Sequence, residues 1–265
     1  MALIAMAVYD TVENERSKYT KQTLESLFET VDFSKHRLIV IDNDSCQETK
    51  EIFKDIGIIV DINNHKNNNT LPFKLITNTE NVGTAKAINQ AWKYRKPNET
   101  VIKMDNDVVI NNYGWVEEME LAMKLGGYGI LGLKRKDLMQ SPNASNHWKT
   151  ELKMLPHDKG DNWVVVEESA DIMGTVQMFH PELINKMGGL MQAGVYGFDD
   201  TLACVRAILL GYKLAFLPHI DIDHIDKGGD AYTEWKRKYA GEKMEEFYKI
   251  KDGLINGTIP IKVEL

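Results

Sequence analysis

Asp105-Asn106-Asp107 stands between two largely apolar runs, Val101-Ile102-Lys103-Met104 and Val108-Val109-Ile110, where a buried strand should leave its sheet. Carboxylates two residues apart can reach one hard divalent cation held against a diphosphate, because such ions prefer oxygen ligands. The same tripeptide also suits an Asx-turn, so its meaning depends on its neighbours. Asp10 follows a first apolar run, Asp42 follows Leu38-Ile39-Val40-Ile41, and the pair Asp199-Asp200 opens a later helix. A carboxylate within hydrogen-bond reach of a hydroxyl can take its proton as the oxygen attacks. An unperturbed Asp, with a pKa of about 3.9, needs burial or a like-charged neighbour to become such a base. Asp199 could supply that repulsion to Asp200, although two carboxylates at a helix start also simply favour its dipole. His224, after Ile220-Asp221-Ile222-Asp223, reads equally as a ligand or as an ordinary surface or core histidine.

Strands and helices alternate through the first 110 residues. Strands are expected over 3–9, 38–41, 73–77 and 101–110. Helices are expected over 20–28, from 47 to 53 and, behind the turn 78–83, around Ala85, Ile88 and Trp92. Ser45 and Glu48 have the spacing of a capping box for the second helix, and Asn63 to Asn69 reads as a polar loop. The alternation argues for βαβ units and a mainly parallel sheet. Right-handed crossovers would bring Asp10, Asp42, Asp105 and Asp107 to one sheet edge, where open α/β sheets bind ligands. Further on, a helix at 115–125 and a strand at 130–133 precede a stretch, 134–162, without periodicity, which predicts a functional lid or disorder. Strands at 163–166 and 174–179 follow, then a helix with Pro181 at its first position, a helix from Asp199 to Leu210 and strands at 213–218 and 220–224. A charged helix from about Ala231 closes the chain, with Tyr232, Trp235 and Tyr239 on one face as core packing.

The 265 residues are 43% hydrophobic, 27% charged and 9% aromatic, which is the make-up of a soluble globular chain. A net charge of −7 offers nucleic acid or an anionic bilayer nothing beyond local basic patches. Cys46 and Cys204 could form one disulfide but read more simply as thiols of a cytoplasmic protein. The apolar opening lacks a basic start and meets Asp10 quickly, so a core strand is expected there and not a signal peptide. No apolar run reaches membrane-spanning length, and no membrane insertion is expected.

Taken in order, Tyr9-Asp10, Ile41-Asp42-Asn43-Asp44-Ser45, the set Asn81, Gly83, Ala87 and Asn89, Asp105-Asn106-Asp107, Asp199-Asp200 with Arg206 and Gly211-Tyr212-Lys213-Leu214, and His224 resemble the motifs of family 2 glycosyltransferases of the GT-A fold. The resemblance covers roughly residues 3–225. The chain departs from it at Ala7 (Pro in the family), Asp44 (Gly), Asp199 (Glu) and Leu202 (acidic). It implies an α/β fold of GT-A, Rossmann-like type: a mainly parallel central sheet flanked by helices, with an acceptor-side half and a C-terminal helix. One domain, 1–265, would comprise a nucleotide-sugar half (1–110), an acceptor and catalytic half (111–225) and a helical tail (226–265). The implied activity is inverting, metal-dependent transfer from a UDP-sugar to an acceptor hydroxyl. Asp42 would hold the base, with Ala7, Tyr9 and Asp10 lining its pocket; Asn81, Gly83 and Lys86 would meet ribose and diphosphate. Asp105, with Asn106, would contact ribose or metal, Asp107 and His224 would ligate Mn²⁺ or Mg²⁺, and Asp200 (or Asp199) would be the base. The acceptor is a saccharide or, given the cations Lys134, Arg135 and Lys136 near Trp148, a hydroxymethylated base in DNA. A non-catalytic nucleotide-sugar-binding module is the reading from another class, which the two acidic pairs oppose.

Overall fold

The computed structural model describes the chain except residues 65–71, 136–149, 159–161, 221 and 229–230, and the side chains of 57–64. Its centre is a sheet of nine strands: β1 (Ala2–Val8), β2 (Arg37–Asp42), β3 (Phe73–Thr77), β4 (Thr100–Met104), β6 (Tyr128–Leu133), β7 (Glu151–His157), β8 (Asn162–Glu168), β9 (Val176–Phe179) and β10 (Lys213–Leu217). They lie in the order β3-β2-β1-β4-β9-β6-β10-β8-β7. Pairings among β3, β2, β1 and β4, and between β6 and β10, are parallel. Only β9 and β8 run against the rest, so the sheet is mainly parallel as expected.

Burial on both faces explains the continuous apolar strands. Ile4, Met6 and Val8 of β1 face one cluster with Leu24 and Leu27 of α1 (Ser17–Thr30), Phe53 of α2 (Gln47–Asn64) and Trp115 and Met119 of α4 (Trp115–Gly126). Leu3 and Ala5 face the other, with Ile88 and Trp92 of α3 (Thr84–Trp92), Leu183 and Ile184 of α5 (Pro181–Met187) and Ala203 and Ala207 of α6 (Asp199–Leu209). A small antiparallel sheet joins β5 (Val108–Ile110) to β11 (Ile222–His224), and α7 (Ala231–Glu242) and α8 (Met244–Ile255) end the chain.

Four expectations are corrected. The helix that begins over 47–53 runs on to Asn64, so the polar loop expected from Asn63 begins later, and its remainder at 65–69 lies outside the described residues. Ser45 does not cap that helix. Its hydroxyl is engaged with the end of β1, accepting from the Asp10 amide at 3.2 Å and donating to the Val8 carbonyl at 3.4 Å. The aperiodic stretch 134–162 contains β7 and the start of β8, a hairpin in register from Glu151↔Glu168 to His157↔Asn162. As the sheet's edge strand, β7 packs Leu155 on the core and leaves Leu152 and Met154 exposed, which hides its pattern. The single last helix is two, and α7 buries no residue fully, so Tyr232, Trp235 and Tyr239 are not core.

Candidate active site

The ends of β1 and β4 and the β5–β11 pair enclose one polar cleft. Asp10, expected in it, lies behind. Its carboxylate accepts from Thr20 Oγ1 (2.5 Å), Thr49 Oγ1 (3.0 Å) and Asn106 Nδ2 (2.9 Å), and burial raises its pKa in spite of these bonds. Asn106 also donates to Thr20 Oγ1 at 2.7 Å, bracing the two strand ends while bordering the cleft.

Asp107 meets His224 because of sheet register. In β11, His224 lies opposite Val108, and the Ile225 amide donates to the Asp107 carbonyl at 2.9 Å. His224 Nε2 comes within 3.3 Å of Asp107 Oδ2. The same oxygen holds Arg16 Nη2 at 2.5 Å, and Arg16 Nη1 holds Asp226 Oδ2 at 2.5 Å. Lys236 joins Asp226 at 3.2 Å, and Arg135 Nη2 lies 2.9 Å from His224 Nδ1. Burial pushes the Asp107 carboxyl up, but the His224 hydrogen bond and the Arg16 charge outweigh it and pull the pKa below the usual range. Asp226 is drawn to about 2, where the Gly228 amide and Arg16 overcome burial.

Asp105 turns the other way. Its Oδ1 lies 3.2 Å from Lys103 Nζ, which also reaches Asp199 Oδ2 at 3.2 Å and donates to the Gly174 carbonyl at 2.9 Å. Lys103 is buried; burial alone would lower its pKa, but Asp105, Asp199 and Asp200 raise it. Among the described residues no three His, Cys, Asp or Glu side chains form a ready-made metal centre, so the expected trio of Asp105, Asp107 and His224 is not assembled as one. A cation nevertheless fits Asp107. Its Oδ1 is buried without a hydrogen-bond partner, and His224 and Asp105 border the same cleft.

Asp199 and Asp200 divide. Asp199 is buried against Lys103, whereas Asp200 is partly exposed, with Oδ2 accepting from the Gly174 amide (3.0 Å) and Oδ1 from the Thr201 amide (2.8 Å). Burial, then the Asp199 charge, raise the Asp200 pKa against the pull of Lys103. Asp171 accepts from Thr201 Oγ1 at 3.3 Å, and burial with the Asp200 charge lifts its pKa to about 7.

On the opposite wall, Ala7, Tyr9 and Asn81 line the cleft as expected. Asp42 does not: it is buried, with Oδ1 accepting from the Ser45 amide at 2.7 Å and Oδ2 unpartnered, and Asn43 borders the cleft instead. Lys86 is exposed on α3 outside the lining. Gly83 shapes the wall without facing it. At φ +88° it lies against Val195, whose Cα would be 2.9 Å from an added Cβ. Thr84, not Gly83, borders the cleft, its amide donating to the Val195 carbonyl at 3.3 Å. The stacked pair Tyr232–Trp235 (11° between planes) and Tyr196 form the outer wall.

Only part of the cationic stretch after β6 lies within the described residues, and Trp148 is not among them. Lys134 is held by both oxygens of Glu167 (2.7 and 2.8 Å), Lys153 pairs with Glu151, and Arg135 turns into the cleft, while Lys136, Lys149 and Lys159 lie outside the described residues. Arg16, Lys103, Asp171 and Lys236 were missed in the sequence. Only Lys103 carried a signal, as the one charge inside a run that is otherwise buried. Cys46 and Cys204 are free thiols. No helix among the described residues is long and apolar enough to cross a membrane.

A sequence model described as glycosyl transferase family 2 matches residues 7–187. No curated protein matches significantly. Solved structures share the fold. The mannosyltransferase PcManGT from Pyrobaculum calidifontis, in complex with GDP-Man and Mn²⁺, is 16% identical with a TM-score of 0.67, over 94% of this chain and 63% of that one. GalNAc-T7 with UDP, GalNAc and Mn²⁺ is 12% identical with a TM-score of 0.60, over 94% and 50%. S. aureus TarS 1-349 in complex with UDP-GlcNAc is 15% identical with a TM-score of 0.57, over 87% and 62%. The chain thus spans less than two thirds of each of these structures.

Proposed function

The chain belongs to glycosyl transferase family 2, with the GT-A fold, and we propose that it moves a sugar from a UDP-sugar to an acceptor hydroxyl with inversion at the anomeric carbon. The observation that carries this reading is the approach of Asp107 to His224, 3.3 Å apart, in a cleft whose far wall is Asn43, Tyr9 and Asn81. A nucleoside would lie against Tyr9, Asn43 and Asn81, with its diphosphate toward Asp107 and His224. The neighbouring structures hold UDP, UDP-GlcNAc or GDP-Man, so the base is part of the proposal.

Asp107 and His224, with Asp105 beside them, would hold Mn²⁺ or Mg²⁺. A bound divalent cation neutralises a departing diphosphate without a proton donor. The chain's own groups supply the rest. Asp200, fixed by two backbone amides, takes the acceptor proton, and its raised pKa makes it a better base near neutral pH. Asp199 and Lys103 orient that end of α6 against β4. Direct attack from the Asp200 side inverts the sugar. Residues 1–265 act as one domain, since the nine-stranded sheet runs from the nucleotide-side strands into β6, β8 and β10.

The test is a thermal-shift panel of UDP and GDP with Mn²⁺ or with EDTA. UDP with Mn²⁺ should stabilise the protein by about 2.7 kcal/mol at a hundredfold excess over Kd, and Asp107→Ala should remove the metal-dependent part. An equal UDP shift in EDTA would exclude the metal site; no shift with either nucleotide would exclude the donor reading.

A further inference from the structure

Two guanidinium groups rest on the side chains that a divalent cation would need. Arg16, at the start of α1, holds Asp107 Oδ2, and Arg135, just after β6, meets His224 Nδ1 at 2.9 Å. The second contact has a chemical consequence. A guanidinium can only donate, so in this contact Nδ1 accepts and the ring proton sits on Nε2. Nε2 then points its N–H at Asp107 Oδ2, 3.3 Å away, and offers no lone pair to a metal. Ligation through Nε2 therefore requires Arg135 to leave. Both arginines border the cleft, and an arginine fork suits phosphate oxygens as well as it suits a carboxylate.

We infer that Arg16 and Arg135 are diphosphate-binding residues that exchange partners: a nucleoside diphosphate draws them off Asp107 and His224 as a divalent cation takes those two ligands. This rests on the nucleotide-sugar reading above and adds a binding order to it. Charge makes the exchange concerted. A metal ion alone must compete at Asp107 with the Arg16 charge, which no anion then draws away. A diphosphate alone would take Arg16 from Asp107, a carboxylate 4% exposed, and an uncompensated buried charge is costly. Together, each supplies the counter-charge that the other removes. Asp226 tolerates the exchange because Lys236 stays with it at 3.2 Å. Mn²⁺ and UDP should therefore bind with mutual enhancement, by the same factor in either direction.

The experiment measures Mn²⁺ binding without nucleotide by paramagnetic resonance, and UDP binding by calorimetry with and without Mn²⁺. The proteins are the wild type, Arg135→Gln and, because Arg16 is buried, the charge-conserving Arg16→Lys. For the wild type, UDP should tighten Mn²⁺ binding by about 20-fold or more, within the usual range of such couplings. Arg135→Gln should bind Mn²⁺ alone about fivefold more tightly and UDP with Mn²⁺ about tenfold more weakly, shrinking the coupling. Arg16→Lys, without its fork, should also weaken UDP. If Mn²⁺ affinity and UDP affinity are unchanged in both variants while the wild type binds UDP and Mn²⁺ together, the arginine exchange is wrong and the metal-assisted reading stands. If the wild type binds no UDP with Mn²⁺, both fall.

Discussion

Lys103→Met tests how much of the site's order depends on one buried cation. Methionine keeps the unbranched length and removes the charge, leaving Asp199 Oδ2 and Asp105 Oδ1, each 3.2 Å from Lys103 Nζ, without their partner, and the Gly174 carbonyl without its donor. Breaking a buried ion pair from one side costs about 3–5 kcal/mol. The Asp105 side chain is 37% exposed and regains water, so the lower end applies, about 3 kcal/mol at pH 7.5. For a chain of this size that is a fall in Tm of roughly 6–12 °C. The pH dependence gives a second, independent reading. Because the folded pKa of Lys103 is raised, its stabilisation is fully present below the unfolded pKa and is lost only as pH rises through the higher folded value. Between pH 4.5 and 7.5 the lysine's own contribution is constant. Any change in the variant's deficit there comes from orphaned carboxylates taking up protons, which should reduce it to about half at pH 4.5. Urea unfolding at both pH values, with m checked for constancy, measures both quantities. A loss below about 1 kcal/mol at pH 7.5, or an equal loss at both pH values, would refute the argument that Lys103 holds the buried charge of Asp199 and the partly exposed one of Asp105.

Asp200→Asn should lower turnover by ~10²–10⁴-fold with UDP affinity kept, whereas Asp199→Asn should chiefly lower Tm, since it strips Lys103 of a partner. A larger turnover loss in Asp199→Asn at unchanged Tm would transfer the proton-accepting role to Asp199. Asp171 has a folded pKa of about 7, above its unfolded value, so the native state holds its proton longer and loses stability as pH rises from about 4 to 7. Asp171→Asn should accordingly raise Tm at pH 8 and leave it unchanged at pH 4; equal shifts at both would show that its burial does not oppose the charge. Gly83→Ala places a Cβ against the Val195 backbone at a positive φ and should cost about 1–3 kcal/mol, with weaker UDP binding because Asn81 and Thr84 border the cleft. Normal Tm and UDP affinity in that variant would mean that the turn is not fixed by Val195.

What could be read from the sequence depended on whether a residue's partner lies near it in the chain. Leu3 to Val8 and Leu38 to Ile41 announce strands because both sheet faces bury them, and the carboxylates after them follow from chain direction. The motifs located residues that matter without saying why. Asn89 clamps the Leu190 backbone, accepting its amide at 2.7 Å and donating to its carbonyl at 3.0 Å, and Arg206 donates to the carbonyls of Met187, Gly189 and Ile261. Both are fasteners of the scaffold. Arg16 gave no signal because its partner Asp107 is 91 residues away, and Arg135 was legible only as part of a basic run because its partner His224, 89 residues away, is brought beside β5 by the β5–β11 pairing. The β7 pattern was masked for a different reason, since an edge strand that only half-buries alternate residues, and carries Pro156, has little hydrophobic contrast.

The strand end 103–107 also explains why the two halves of the site should answer to each other. Asp107 belongs to an ionic group with Arg16, Asp226, Lys236 and His224, on the side of the proposed diphosphate site. Lys103 and Asp105 belong to another, with Asp199 and the Gly174 backbone, on the side of the proposed base. Asp105 lies between them, partly exposed, and its pKa is raised by burial and by Asp107 despite Lys103. Any ligand that takes Asp105 away from Lys103 leaves the lysine's charge to Asp199 and Asp200 alone. Lys103 would then pull harder on the proposed base and lower its pKa. Donor binding and the readiness of Asp200 are thus linked through a single buried lysine, without any movement of the strand that carries it.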